Sequence, residues 1–159
     1  MDPAVTLRPI TADTVVAVCR LEVSESQKGF VAPNAISLAQ ALFAPAAWYR
    51  AIYLAEEPVG FLMLDDQSLL TPRPPHPEIG LWRFMVDRRF QGRGIARAAL
   101  LQVIEQVRER RIFDKLSLSY VPGPGCPEPF YLSLGFRHTG RMDGTEVVLE
   151  LPLEPPSAK

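Results

Sequence analysis

Apolar and polar positions alternate over Val5-Thr6-Leu7-Arg8-Pro9-Ile10, a period of two that predicts a first strand. Thr11 can then cap a helix reaching about Leu21, with Val15, Val18, Cys19 and Glu22 at helical intervals. Ala32-Pro33-Asn34 closes a polar, mixed stretch, and a second helix is predicted over residues 36–43, ending near Pro45. Residues 49–55 and 59–64 are β-rich runs on either side of Glu56-Glu57-Pro58, and a proline there predicts a hairpin turn. Residues 78–87 read as the next partner and the central strand, apolar on both faces apart from Arg83. From Gly94 to about Arg110 the helical period is the clearest in the chain, with Ala96, Leu100, Val103, Ile104 and Val107 in one stripe. Leu116, Leu118 and Tyr120 alternate with Ser117 and Ser119 as a further strand. A short helix near residues 128–134 stops at Gly135, and residues 136–141 and 146–151 flank Asp143-Gly144 as a closing hairpin. The order β-α-α-β-β-β-α-β-α-β-β predicts an α/β sandwich around one mixed sheet.

Length and composition narrow the picture. A chain of 159 residues, 47 % hydrophobic and 22 % charged, suits one domain, here residues 1–153 with a mobile tail over 154–159. A net charge of −1 offers no field for nucleic acid or an anionic membrane, so neither is expected as a partner. No apolar run approaches the roughly 20 residues of a membrane span, and Met1-Asp2-Pro3-Ala4 lacks the features of a signal peptide. Cys19 and Cys126 form neither a disulfide framework nor a metal motif, so a cytoplasmic setting and no metal are expected. The 16 prolines cluster at 71–77, at 122–129 and after Leu151, which marks those stretches as loops. Pro72-Arg73-Pro74-Pro75 reads as a stiff connector rather than a polyproline ligand.

One junction carries chemistry. Asp87-Arg88-Arg89-Phe90 leaves the central strand and Gln91-Gly92-Arg93-Gly94-Ile95-Ala96 turns into the long helix. A helix start presents unpaired amides and the positive end of the dipole, a seat for phosphate. Gly92 and Gly94 allow positive φ and close approach to an anion, and Arg88, Arg89, Arg93 and Arg97 surround the point. A dinucleotide-binding G-x-G-x-x-G loop is excluded, because Arg97 stands at the third glycine and hairpins rather than βαβ units precede it.

Gln91-x-x-Gly94-x-Ala96 resembles the Q/R-x-x-G-x-G/A signature of the GNAT superfamily of N-acetyltransferases. Trp82-Arg83-Phe84-Met85-Val86-Asp87 is similar to that family's fourth strand, Phe130-Tyr131-Leu132-Ser133-Leu134-Gly135-Phe136 to its F-Y-x-x-x-G-F segment, and Val59-Gly60-Phe61 to its third strand. Within the superfamily the chain looks closest to the bacterial spermine/spermidine-acetyltransferase-like branch. The resemblance implies a mostly antiparallel central sheet flanked by helices, and acetyl-CoA as co-substrate. It implies pyrophosphate binding by the amides of Gln91, Gly92, Arg93, Gly94, Ile95 and Ala96, with Arg97 near the phosphates. Pantetheine would contact the strand edge at Phe84, Met85 and Val86, where an amide near Met85 would polarise the acetyl oxygen. Tyr131 would be the general acid for the departing thiolate, as a phenol of ordinary pKa about 10 is protonated at neutral pH.

Two departures from the family matter. Gly123 and Pro124 stand where the family often has an asparagine that contacts pantetheine. Trp82 replaces the acidic residue of the polyamine enzymes, and Arg83 after it repels a polycation. Arg83 either pairs with Glu78, Asp66 or Glu22, or faces the acceptor and favours an amine that also bears a carboxylate. Glu22, Asp66 and Glu78 are possible bases through water; Gln27 and Phe30 lie in a segment that, by analogy, covers the acceptor side. His76, His138 and Cys126 carry no catalytic signal of their own. The expected activity is acetyl transfer to a primary amine of a small molecule, by a monomer or homodimer. A non-catalytic acyl-CoA sensor and an acetyltransferase of protein amines remain as alternatives.

Overall fold

The computed structural model describes residues 4–153; the predicted mobile tail, 154–159, lies outside the described residues. The elements are β1 (Val5–Arg8), α1 (Val15–Arg20), α2 (Asn34–Ala41), β2 (Ala47–Leu54), β3 (Glu57–Asp66), β4 (Ile79–Val86), α3 (Ile95–Arg110), β5 (Lys115–Tyr120), α4 (Glu128–Ser133), β6 (Arg137–Asp143) and β7 (Glu146–Pro152). This is the predicted order. One seven-stranded sheet runs β1-β2-β3-β4-β5-β7-β6, and β4 lies at its centre. Only β4 and β5 run parallel.

Each face of the sheet is covered. On one side α3 presents Ile95, Ala99, Leu100, Val103, Ile104 and Val107 to Ile52, Leu62, Ile79, Leu116 and Leu149. Leu100, Val103, Ile104 and Val107 are buried as expected, Ile95 replaces the half-buried Ala96, and Ala99 joins the stripe. On the other side Val18 and Leu21 pack over Ala51, Phe61, Met63 and Met85. None of these helices is long and apolar enough to cross a membrane.

Several boundaries differ from the pattern-based expectation. Thr11 closes a turn onto Thr14 and Val15, so α1 begins at Val15 rather than directly after Thr11. Asn34 opens α2 instead of stopping before it. Its buried amide donates to the Val18 carbonyl at 2.9 Å, tying α2 to the end of α1. The β2–β3 turn falls on Ala55-Glu56, with Ala55 at φ 52°, and Pro58 lies inside β3. There Tyr53 pairs with Pro58 and Ile52 with Gly60, so Val59 is the extra residue of a bulge, a place where a proline's missing donor is tolerated.

Gly60 shows why this strand needs a glycine. A Cβ at that position would stand 2.5 Å from the Met85 carbonyl oxygen of β4 and 3.0 Å from Ile52 Cδ1. Gly60→Ala is therefore expected to lower stability by about 1–3 kcal/mol, read by denaturant unfolding, because β3 and β4 must separate to admit one methyl group.

Candidate active site

The pairing of β4 with β5 lasts for three residue pairs, Ile79 with Leu116, Gly80 with Ser117 and Leu81 with Leu118. Immediately afterwards β4 bulges. Met63 of β3 faces Arg83 and Leu64 faces Leu81, which leaves Trp82 as the extra residue. A bulge bends its strand and increases the local twist, so the rest of β4 follows β3 and parts from β5. Peptide groups along a strand point alternately to its two sides. The Met85 carbonyl faces Gly60 of β3 and the Asp87 amide bonds the Val59 carbonyl at 2.7 Å, so both belong to the β3 side. The peptide groups of Phe84 and Val86 consequently face the gap. The amide expected near Met85 is thus that of Phe84 or Val86. Met85 itself is committed to β3 and to the α1–α2 side, where its sulfur accepts from Asn34 Nδ2 at 3.6 Å.

The glycine loop is fastened to this edge by polar contacts. Gln91 Nε2 donates to the Val86 carbonyl at 2.9 Å, and the amides of Gln91 and Gln27 bond each other in both directions, at 2.9 and 3.1 Å. Asp87, 2 % exposed, accepts from the amides of Glu22 and Arg89 at 2.9 and 3.0 Å and from Arg89 Nε at 2.8 Å. Burial opposes its ionisation, but the bonds from Arg89 and the Glu22 amide outweigh burial and hold the carboxyl below the ordinary aspartate range. Gly92 and Gly94 take φ of 80° and 79°, and nothing lies within 4 Å of a Cβ built on either. Conformation rather than crowding requires glycine there, and the space before both is open to a ligand.

Ile95 is buried and anchors the start of α3 in the core. The first intrahelical bond runs from the Ala98 amide to the Gly94 carbonyl, so the amides up to Arg97 are unpaired within the helix. Of the four arginines, Arg88 meets Glu22 at 3.5 Å and Arg89 meets Asp87. Arg93, over the Phe90 ring at 5.3 Å, and the exposed Arg97 contact no carboxylate among the described residues. Free cationic charge is therefore concentrated on the helix start, the arrangement an oligophosphate requires.

A cavity of about 620 Å³ opens beside the gap. Phe84, Met85, Val86, Gln91 and Ala96 line it, with Trp82, Arg83, Gln27 and Phe30 on the side of the covering segment. Glu22 and Glu78 are not brought in. Glu22 is exposed beside Arg88, and Glu78 is exposed at the far end of β4, where its amide bonds Gln67. Asp66 is held by Arg110 at 2.8 Å. None of the three pairs with Arg83.

Two tyrosines reach the cavity. The Tyr120 hydroxyl donates to Glu128, and burial together with that bond pushes its pKa up to about 12. Tyr131 packs in a chain of rings, with centroids 5.5 Å from Phe130 and 5.8 Å from Phe136. Burial pushes its pKa further up, and among the described residues nothing bonds its hydroxyl. The proton of Tyr120 is engaged and that of Tyr131 is available. Sequence reasoning passed over Ser119 and Glu146, which also line the cavity and bond each other at 2.8 Å. The outward alternation of Ser119 was visible, but nothing local announces Glu146, which arrives through the pairing of β5 with β7.

A central strand splayed from its parallel neighbour, with its free edge leading to a glycine-lined helix start, makes an α/β site suited to a ligand that joins an oligophosphate to an amide-bearing chain. The sequence matches the acetyltransferase (GNAT) family over residues 14–136, and the chain belongs to that family of N-acetyltransferase enzymes. It is 23 % identical to the spermine/spermidine N(1)-acetyltransferase of Bacillus subtilis over 142 residues, covering 88 % of this chain and 92 % of that protein. The ribosomal-protein-S18-alanine N-acetyltransferase of Escherichia coli superposes with a TM-score of 0.70 at 17 % identity, over 98 % of this chain and 97 % of that one. The PaiA N-acetyltransferase of Thermoplasma acidophilum, solved with coenzyme A, superposes with a TM-score of 0.66 at 13 % identity, over 94 % and 99 %.

The buried Asp87 gives a pH-dependent signature. Its folded pKa lies below the unfolded value of about 3.9, so its contribution is full above that value and is lost as pH falls through the folded pKa. Asp87→Asn is expected to cost about 2 kcal/mol at pH 7, and the gap to the native chain is expected to narrow as pH falls below the ordinary aspartate range, by urea unfolding at neutral and acid pH.

Proposed function

We propose that the protein uses acetyl-CoA to acetylate a primary amine of a small molecule, by direct attack of the amine on the thioester. The observation that carries this reading is the free β4 edge, which leads to the α3 N-terminus and shares its cavity with Tyr131, whose hydroxyl has no partner among the described residues. The residues fit the co-substrate. The open faces of Gly92 and Gly94, the amides up to Arg97 and the unpaired Arg93 and Arg97 suit the pyrophosphate. The peptide groups of Phe84 and Val86 suit the pantetheine, whose amides alternate donors and acceptors much as a strand does. An amide of that edge directed at the thioester oxygen favours the charge that develops there during attack.

Tyr131 donates its proton to the departing sulfur. Its raised pKa keeps it in the acid form through neutral pH, and its burial among Phe130 and Phe136 keeps bulk water from competing. The loop at Gly123 and Pro124 contributes no asparagine side chain, and Gly125 and Pro127 line the cavity in that region instead. A polycationic acceptor, as the name of the B. subtilis relative indicates for that protein, is disfavoured by Arg83 in the cavity wall.

Coenzyme A release across an amine panel tests the reading; acetyl-CoA binding without release on any amine would favour the sensor instead. Tyr131→Phe is expected to lower kcat about 100-fold while leaving acetyl-CoA affinity within twofold, and unchanged turnover would remove Tyr131 from the reaction. Gly94→Val forces a β-branched residue into positive φ and is expected to weaken acetyl-CoA binding at least about tenfold by calorimetry.

A further inference from the structure

Two charged side chains flank the gap from opposite banks, on the sheet face that carries α1 and α2. Arg83 follows the β4 bulge, and Glu146 opens β7, which the pairing of Ser119 with Val148 places beside β5. Both line the cavity. Arg83 is half-buried. Its Nη1 meets only its neighbour's carbonyl, that of Trp82 at 3.2 Å, and its Nη2 meets the neutral Gln40 Oε1 at 3.0 Å. Its Nε is buried with no hydrogen-bond partner among the described residues. Burial lowers the pKa of the guanidinium and the charge of Glu146 opposes that shift, but the two form no ion pair.

A half-buried guanidinium in a cavity wall, with only neutral partners among the described residues, is costly, and a carboxylate is the acceptor whose geometry and charge suit it. A polyamine would leave the Arg83 charge without a counter-charge and add repulsion. An acid without an amine would be repelled by Glu146. A molecule with both charges satisfies both walls. We propose that the acceptor is a small zwitterion, an amino acid in the chemical sense, with its carboxylate on Arg83 and its ammonium received at Glu146. This rests on the N-acetyltransferase reading above.

In the step so defined, the ammonium gives one proton to the Glu146 carboxylate and its freed electron pair forms the bond to the acetyl carbon. The carbon–sulfur bond breaks, and Tyr131 protonates the sulfur. The second proton lost by the nitrogen restores the Tyr131 hydroxyl, and Glu146 returns its proton to solvent. The products are an N-acetylated amino acid and coenzyme A.

The experiment compares coenzyme A release for amino acids, their carboxamides and the matching decarboxylated amines, over several side chains. It uses the native chain, Arg83→Gln, Arg83→Lys and Glu146→Gln, each checked by its melting temperature. The native chain is expected to prefer the acid over the carboxamide about tenfold or more in kcat/KM. Arg83→Gln should erase that ratio through KM, Arg83→Lys should restore part of it, and Glu146→Gln should lower kcat for every amine. A polyamine or carboxamide that matches the acid in the native chain, or an acid-to-carboxamide ratio unmoved by Arg83→Gln, overturns the zwitterion subsite while acetyl transfer stands. Acetyl-CoA binding with no release from any of the three series overturns both.

Discussion

The parallel ladder between β4 and β5 ends after Leu81, and the unpaired length of β4 beyond it organises the rest of the site. Peptide groups that lose a strand partner must find another, or stay accessible to one. Along this edge the Val86 carbonyl is satisfied by the Gln91 side chain, which ties the glycine loop to the strand. The remaining groups of Phe84 and Val86 face a cavity wide enough for a chain that itself carries amides. A single extra residue, Trp82, accompanies this opening, and Arg83 just beyond the bulge reaches Gln40 of α2.

The glycine loop depends in turn on a buried carboxylate. Asp87 ends β4, receives amides from Glu22 and Arg89, and neutralises Arg89. Glu22 does the same for Arg88. Two of the four arginines are thus part of the scaffold, and the cationic character left over lies at Arg93, Arg97 and the unpaired amides of α3. In a chain of net charge −1, this local balance rather than any global field is what suits the helix start to an anion.

Much of this was legible along the chain. The serine–leucine alternation of β5 and the α3 stripe from Leu100 to Val107 each depend on neighbours three or four residues apart at most, and both were placed correctly, while Ile95 takes the buried place read for Ala96. Misplaced features depended on partners distant in sequence. Pro58 looked like a turn residue, yet it sits in β3 because Ala55 accepts positive φ and a bulge relieves the proline of its ladder duty. Asn34 looked like the end of a polar stretch ahead of the second helix, yet it opens α2 and its buried amide is spent on the Val18 carbonyl. The amide expected near Met85 narrows to that of Phe84 or Val86, because strand parity is set by which side β3 occupies.

The sequence by itself determined the order of elements, the helix that opens on Gly94 and the tyrosine that follows it in F-Y-x-x-x-G-F, because short-range periodicity and backbone freedom are local properties. The tertiary structure decided which acidic groups reach the cavity. Glu22, Asp66 and Glu78 are held elsewhere by Arg88, Arg110 and strand position, while Glu146 arrives from the last hairpin. It also decided that Arg83 has no carboxylate of its own. Charge pairing across a sheet is a matter of register between strands, and register is created only when the chain folds.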